Sequence, residues 1–235
     1  MQVDHDWVRA EAEFQQAIAL NPSSSLARQT YAFLLRVVQR FGEAQKQDLV
    51  AIEQDPLSFV PRWSIAMAPV EQGDIETSIL RLEELVEKYP ERTGSRSVLA
   101  TLYTWAGRKE RARELIAPWA GKTEQLLREF HAFNMALLGE PEEARAFLAD
   151  WEGGRLPERY PLPYAAALCC AMGDDERGLA LLERDLREGD RSLWAVYRFP
   201  MFDRLRGNPR FLAMLDALKL PKTIPRPLFL QNARS

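Results

Sequence analysis

Histidines, cysteines and paired acids are the side chains of this sequence that could do chemistry, and their spacing favours no common catalytic site. His5 and His131 are the only histidines, and neither has a second metal ligand at helical spacing. The glutamate pairs at 83–84 and 142–143 are adjacent in sequence, which is typical of a solvated helix face rather than of a general acid and base. We therefore expect no acid–base or metal site from these groups.

The remaining reactive groups give the same indication. Cys169 and Cys170 are adjacent in an apolar stretch, and neighbours on a helix point in different directions, so neither a disulfide nor a metal pair is expected. An apolar helix would raise the pKa of a thiol and weaken it as a nucleophile. Gly153-Gly154 lacks the strand before it and the Lys-Ser/Thr after it that a phosphate loop needs. We predict no enzyme, no cofactor and no metal, with reduced, buried thiols.

Charge and composition exclude further classes of partner. The 235 residues carry a formal net charge of −3, with 46% hydrophobic and 28% charged residues, which is ordinary for a folded chain. No net field draws it to nucleic acid or to an anionic membrane. No apolar run approaches the ~18 residues of a membrane span, and the acidic start differs from a signal peptide. We expect a cytoplasmic protein with no direct nucleic-acid contact and no membrane span in this segment.

A repeat of 34 residues organises the elements that must position any binding site. Pro22, Pro56 and Pro90 recur at this interval. A small residue recurs with it, at Ala10, Ala44, Ser78 and Ala112, and then at Ala144 and Gly178 after steps of 32 and 34. Apolar residues follow the helical period on both sides of a turn at 39–42. The pattern predicts an all-α array of antiparallel helix hairpins, each covering the apolar face of the next.

Domain organisation follows from this period. We predict a repeat domain over 1–221 and a basic, apolar tail over 222–235. The units lie near 1–22 (partial), 25–56, 58–90, 91–121, 122–153 and 160–189, and a cap lies at 193–221. Because 1–22 matches only the second half of a unit, either an upstream helix is missing or a lone helix caps the front of the array. Pro69 predicts a kink in the third unit, and Asn208 is the expected N-cap of the last helix.

The helix-turn-helix period, Ala10-x3-Phe14 closing on Pro22, and the recurring small residue resemble tetratricopeptide repeats. The resemblance covers residues 6 to about 189 and rests on the period. The positions where that family often has tryptophan are Arg28, Arg62 and Arg96. The resemblance implies a right-handed superhelix of about five to six repeats, with the first helices lining a concave surface that binds protein or peptide partners.

The closing part of the sequence carries a second resemblance. The stretches 174–180, 193–194 and 201–211 are similar to the carboxyl end of repeat domains in bacterial multidomain regulators. In that group the repeats commonly follow a winged-helix DNA-binding, nucleotide cyclase or protein kinase domain. The resemblance implies the sensory or protein-interaction part of a signalling or transcription regulator, with the output domain before Met1.

Aligning the units gives the candidate binding residues of the concave surface. They are mostly apolar and aromatic, which suits an amphipathic helix, an extended peptide or a flat small molecule. Only Arg36 could pair with the terminal carboxylates of a peptide, so a chaperone-type carboxylate clamp is not expected. For the two tryptophans and Phe133, ordinary core packing is the alternative. The candidates are Gln29, Phe33, Arg36, Trp63, Met67, Thr101, Thr104, Trp105, Glu129 and Phe133.

Leu228, Phe229 and Leu230 in the proline-rich tail form a second candidate site. Bulky apolar residues seldom stay uncovered, so we predict that they dock in the groove or on a second copy of the chain. Two functions remain open at this point. One is a module that binds a protein, a peptide or a small apolar ligand, and the other is an assembly or homodimerisation scaffold whose groove its own tail fills. An enzyme is the third hypothesis, and it requires a polar pocket that joins His131 to acids of neighbouring helices.

Overall fold

The computed structural model describes residues 6–156, 160–188, 197 and 200–224, and every regular element within these ranges is helical. The all-α class is therefore confirmed for this part of the chain. Two 3₁₀ helices, Ala117–Trp119 and Pro200–Leu205, accompany the α-helices. The α-helices are α1 (Trp7–Leu20), α2 (Ser25–Val37), α3 (Phe41–Gln54), α4 (Val60–Glu71), α5 (Ile75–Lys88), α6 (Thr93–Trp105), α7 (Lys109–Ile116), α8 (Gln125–Leu137), α9 (Glu142–Glu152), α10 (Leu162–Ala171), α11 (Asp175–Glu188) and α12 (Pro209–Ala217).

Helices that follow one another in sequence pack as hairpins. The pairs are α2 with α3, α4 with α5, α6 with α7, α8 with α9 and α10 with α11. Successive hairpins are joined through contacts of α3 with α4, α5 with α6, and α7 with α8, while α1 packs on α2. None of the helices in the described ranges has the length and apolarity to cross a membrane.

The turn within each hairpin contains one residue in the left-handed region. Four of these five residues are glycines, which lack the Cβ that makes the left-handed conformation costly. The residues are Gln39, Gly73, Gly107, Gly139 and Gly173, with φ of 62°, 98°, 77°, 94° and 84°. The predicted turn at 39–42 is too long, because α3 already begins at Phe41.

The recurring small residue lies at the contact between the helices of each hairpin. Ala44, Ser78, Ala112 and Ala144 are fully buried. At the last repeat this residue is a glycine, and a Cβ added to Gly178 would lie 2.8 Å from Cys170 Sγ and 3.3 Å from the Ala166 carbonyl oxygen. Any larger residue at this position would require the Cys170 side chain or one of the two helices to move.

Gly178→Ala is therefore expected to destabilise the protein by about 1–3 kcal/mol through overpacking. Gly42→Ala is the matched control, because no atom lies within 4 Å of a Cβ added there. Better helix propensity should make that variant more stable by about 0.5 kcal/mol. Urea unfolding of both variants checks the difference, and equal stabilities would contradict the close contact.

Pro69 lies within α4 as predicted, and α5 satisfies the backbone groups that the proline disturbs. Proline has no N–H to donate to the carbonyl of Ile65. Arg81 Nη1 donates to that carbonyl at 3.0 Å, and the N–H of Val70 donates to Ser78 Oγ at 2.8 Å. Ser78 is thus both the small residue of its repeat and a hydrogen-bond acceptor for the interrupted helix.

The two ends of the described chain are in contact. Trp7 Nε1 of α1 donates to the carbonyl oxygens of Leu218 and Lys219, each at 3.1 Å. Tyr197 Oη donates to the carbonyl of Val37 at the end of α2 at 2.7 Å. The C-terminal cap therefore packs on α1 and α2 as well as on the last hairpin. The start of the predicted cap, residues 193–196, lies outside the described residues, and so does the tail beyond Ile224.

Three apolar clusters form the core, and one of them includes this end-to-end contact. One lies among α1, α2 and α3, and a second extends from α4 to α8. The third extends from α8 to the stretch after α12, and the fully buried Val37 of α2 belongs to it.

Asn208 caps α12 as predicted, since its side chain accepts from the N–H of Arg210, although the helix ends at Ala217, earlier than expected.

Candidate functional site

Two cavities lie side by side between the first helices of successive hairpins. The α2–α4 cavity has a volume of about 360 Å³ and the α4–α6 cavity about 420 Å³. Trp63 lines both, so the two cavities meet at its side chain. The other residues of the α2–α4 cavity are Leu26, Gln29, Thr30, Phe33, Arg36, Val60, Ser64, Met67 and Glu71. Those of the α4–α6 cavity are Phe59, Glu91, Arg92, Thr93, Gly94, Ser95, Val98 and Phe130.

The cavities occur here because the first helices approach one another unevenly along the array. α6 packs directly on α8, and α8 on α10, whereas α2 with α4 and α4 with α6 make much less contact. A buried polar network holds α6 to α8: Thr101 Oγ1 donates to Asn134 Oδ1 at 3.0 Å, and Asn134 Nδ2 donates to Ser97 Oγ at 3.0 Å. The two cavities accordingly lie where the first helices make less contact, in the first half of the array.

Five of the predicted site residues line the α2–α4 cavity together: Gln29, Phe33, Arg36, Trp63 and Met67. Gln29 Nε2 donates to Ser25 Oγ at 2.7 Å and to Ser58 Oγ at 2.9 Å, which ties α2 to the turn before α4. Phe33 and Trp63 are half-buried, so part of each ring faces the space between the helices.

A buried ion pair lies beneath this cavity. Arg36 and Asp48 are 3% and 1% exposed, and Arg36 Nη2 donates to Asp48 Oδ2, which joins α2 to α3. Burial raises the pKa of Asp48 to about 6, with Arg36 opposing the rise and the nearby Glu71 adding to it. The guanidinium of Arg36 is therefore committed to an internal carboxylate, and it contributes to the wall of the cavity as an already paired group.

The other predicted residues lie outside both cavities. Thr101 is consumed by the network with Asn134, and Thr104 Oγ1 donates to the carbonyl of Ala100 within its own helix. Trp105 and Phe133 pack against core clusters from half-buried positions, which fits the core alternative. The tail residues Leu228, Phe229 and Leu230 lie outside the described residues.

The chain matches no protein-family model, and no curated protein is significantly similar to it in sequence. The resemblance to tetratricopeptide repeats thus remains a prediction. Function has to be inferred from the cavities and the side chains around them.

Several lining residues of the α4–α6 cavity were not among the candidates, including Phe59, Arg92, Ser95 and Phe130. The candidates were taken from the middle of each first helix, whereas this cavity opens at the first turn of α6. Leu26, Val60 and Gly94, which line the two cavities, follow one another at 34-residue steps. The same repeat period, applied to the first turn of each first helix, would have indicated these residues as part of the cavities.

Glu129 lies away from the cavities, on α8, where Tyr160 donates a hydrogen bond to it. Burial raises the pKa of Glu129 to about 7, and the hydrogen bond from Tyr160 opposes this rise. The folded state therefore holds a proton on Glu129 at pH values where the unfolded chain has lost it. Stability from this group is complete below the ordinary pKa of 4.5 and declines as the pH rises towards 7.

Glu129→Gln is expected to remove this decline, because the amide stays neutral at every pH. The wild type should lose about 2 kcal/mol more than the variant between pH 4.5 and pH 7.5. Urea unfolding of both proteins at four pH values in this range measures the difference. Parallel pH profiles would contradict the buried, protonated state of Glu129.

His131 comes close to an acid of the neighbouring helix, as the enzyme hypothesis requires. Its Nδ1 lies 2.6 Å from Glu143 Oε2, but the imidazole is buried and does not line the adjacent cavity of about 270 Å³.

Cys169 and Cys170 are buried as predicted, and burial raises the pKa of Cys169 to about 11. Among the described residues no group of three or more His, Cys, Asp or Glu side chains is arranged to hold a metal ion.

Proposed function

We propose that this chain is a non-catalytic binding module of the tetratricopeptide type that recognises a peptide or a small ligand through bulky apolar groups. The observation that carries the proposal is the position of Trp63, half-buried at the junction of the two cavities. Aromatic residues in preformed pockets supply a large share of binding energy at interfaces. Both cavities also fall within the volume range of roughly 300–1,000 Å³ that is usual for ligand sites.

The rim of the cavities supports an apolar partner. Leu26 and Val60 are 72% and 52% exposed, and both line the α2–α4 cavity. Exposed aliphatic side chains around an aromatic cleft are typical of interaction sites. Because Arg36 is engaged by Asp48, the floor of this cavity favours an apolar side chain over a second carboxylate.

The proposal extends to the biological role that the sequence resemblances imply. The repeats would form a right-handed superhelix and serve as the sensory or protein-interaction part of a cytoplasmic bacterial regulator. A ligand that fills both cavities would touch α2, α4 and α6 at once and fix the spacing of three hairpins. Such a change in curvature is a means of signalling to an output domain that needs no covalent step.

Peptide display tests the proposed binding surface. Peptides selected on the full chain should be rich in bulky apolar residues, and Leu26→Lys should lower their affinity by about tenfold or more. Leu80→Lys is the matched control, because Leu80 is 61% exposed on α5 and lines neither cavity. Equal losses in the two variants, or no enrichment of apolar peptides, would overturn the proposal.

A further inference from the structure

The C-terminal segment reaches one end of the α2–α4 cavity. Gln39, two residues after the end of α2, donates from Nε2 to the carbonyl oxygen of Thr223 at 2.5 Å. Arg36, in the last turn of α2, lines the cavity. Three residues separate Arg36 from Gln39, which corresponds to about 5 Å along a helix axis. The chain is therefore held beside this end of the cavity where the tail begins.

The wall of the cavity and the C-terminal segment belong to one apolar core. Phe33 of α2 lines the cavity and packs against the cluster that extends from α8 to the stretch after α12. Leu218 and Leu220 are 0% and 5% exposed and are members of that cluster. A chain that continues along α2 from Thr223 would thus extend an interface that the fold has already formed.

The tail has the length to follow the cavity. Two prolines among the first three residues after Ile224 favour an extended polyproline II conformation. At about 3.1 Å per residue, residues 228–230 come about 12–19 Å after Ile224. The cavity residues of α2, from Arg36 back to Leu26, span about 15 Å at the helical rise. The three bulky apolar residues therefore fall within the length of the cavity when the tail runs from Arg36 towards Leu26.

The charge of the tail also matches the cavity. Glu71, at the end of α4, is 5% exposed and lines the cavity at its Arg36 end. With the buried Arg36–Asp48 pair, two acids accompany one base there. The tail over 222–235 contains no acidic side chain, and Arg226 stands near its start. A basic, apolar segment is favoured over an acidic one at this place.

We infer that residues 225–230 of the tail bind in the α2–α4 cavity of their own chain and compete there with other ligands. The bulky side chains of 228–230 lie between Phe33 and Trp63, and Arg226 lies towards Glu71. This inference rests on the proposed function, because it describes the regulation of one of the two cavities, and it leaves the α4–α6 cavity open. A short tether gives an effective concentration on the order of millimolar, so weak contacts are enough to keep the tail bound for much of the time.

Paramagnetic relaxation in the full chain tests where the tail lies. A nitroxide on Asn232→Cys should reduce the amide signals of 26–36 and 60–67 to below about half and leave those of α9 and α11 unchanged. Cys169 and Cys170 are 0% and 1% exposed, so the label should react at the new cysteine. Undiminished signals in α2 and α4 would overturn the inference.

An isotope mixture separates the same chain from a second copy. Isotope-labelled wild type is mixed with unlabelled chains that carry the nitroxide on Asn232→Cys. We expect no broadening in this mixture, because the tail binds within its own chain. Broadening of the α2 and α4 signals would place the tail of a second copy in the cavity and overturn the inference.

Substitutions in the tail test the competition. The triple variant Leu228→Ser/Phe229→Ser/Leu230→Ser should bind a display-selected peptide about three- to tenfold more tightly, because the cavity is no longer occupied. Hydrogen–deuterium exchange of 25–36 in the absence of any ligand should also speed up.

Gln231→Ser/Asn232→Ser, at polar neighbours in the same tail, is the matched control and should change neither result. Unchanged exchange of 25–36 in the triple variant would overturn the inference. Failure of every selected peptide to bind, with the difference in exchange intact, would overturn the proposed recognition of an external ligand and leave the docked tail standing.

Discussion

Replacing Arg36 with methionine is expected to lower the free energy of unfolding by about 3–5 kcal/mol at pH 8. The side chain of Asp48 is almost fully buried and accepts its hydrogen bond from Arg36, while its second oxygen, Oδ1, has no partner among the described residues. Without the guanidinium, an isolated carboxylate would remain between α2 and α3. Burying an uncompensated charge is among the most damaging single changes in a core.

The pH dependence of this loss gives a sharper test. In the folded wild type the pKa of Asp48 is raised from 3.8 to about 6, so this group stabilises the fold fully below pH 3.8 and less as the pH rises towards 6. Removing Arg36 raises that pKa further, and a protonated Asp48 then relieves much of the penalty at pH 5. Unfolding by urea at pH 5 and pH 8 should therefore show a clearly smaller loss at the lower pH.

Two further variants serve as controls for Arg36. The double variant Arg36→Met/Asp48→Leu removes both charges and should recover most of the stability that Arg36→Met loses. Arg113→Met breaks an exposed pair with Glu140 and should cost less than about 1 kcal/mol. A loss for Arg36→Met that equals that of Arg113→Met, or that does not change with pH, would contradict the buried pair.

The second large effect is expected at Val37, where the two ends of the chain meet. Val37→Asp should destabilise the protein by about 3 kcal/mol or more, because it places a carboxylate among the apolar side chains of the C-terminal cap. Val38→Asp is the matched control, since Val38 is only half-buried and follows α2 as its C-cap. Hydrogen–deuterium exchange should also speed up in α12, more than 170 residues away in sequence. Unchanged exchange in α12 would contradict the end-to-end contact.

The paired hairpins could be predicted from sequence because the interactions that define them are local and repeat. Ala44, Ala112 and Ala144 mark the helix contacts, and Gly107 and Gly139 mark the turns, each within a unit of about 34 residues. A single unit shows the whole pattern. Recurrence then confirms that the pattern is not accidental.

The contact between Trp7 and Leu218 could not be predicted, because it joins residues 211 positions apart in sequence. It depends on the packing at every hairpin interface between them, which no short motif records. Only the completed fold brings α1 and α2 to the C-terminal cap.

Of the predicted site residues, only those on α2 and α4 line a cavity. Phe33 and Trp63 line a cavity, whereas Thr101, at the equivalent position two repeats after Phe33, is buried by Asn134. Alignment of repeats assumes that every interface is alike, and here α6 and α8 approach more closely than α2 and α4. Arg92 and Ser95 were missed because a charged residue and a small hydroxyl at a helix start are common at ordinary surface positions.

Hydrogen–deuterium exchange on the full chain, with and without a bound display-selected peptide, tests most directly whether the joined cavities are the binding surface. We predict slower exchange in 25–36, 59–67 and 91–98, with little change in α9 and α11. Protection confined to the second helices of the hairpins, or no protection in α4, would contradict recognition at Trp63.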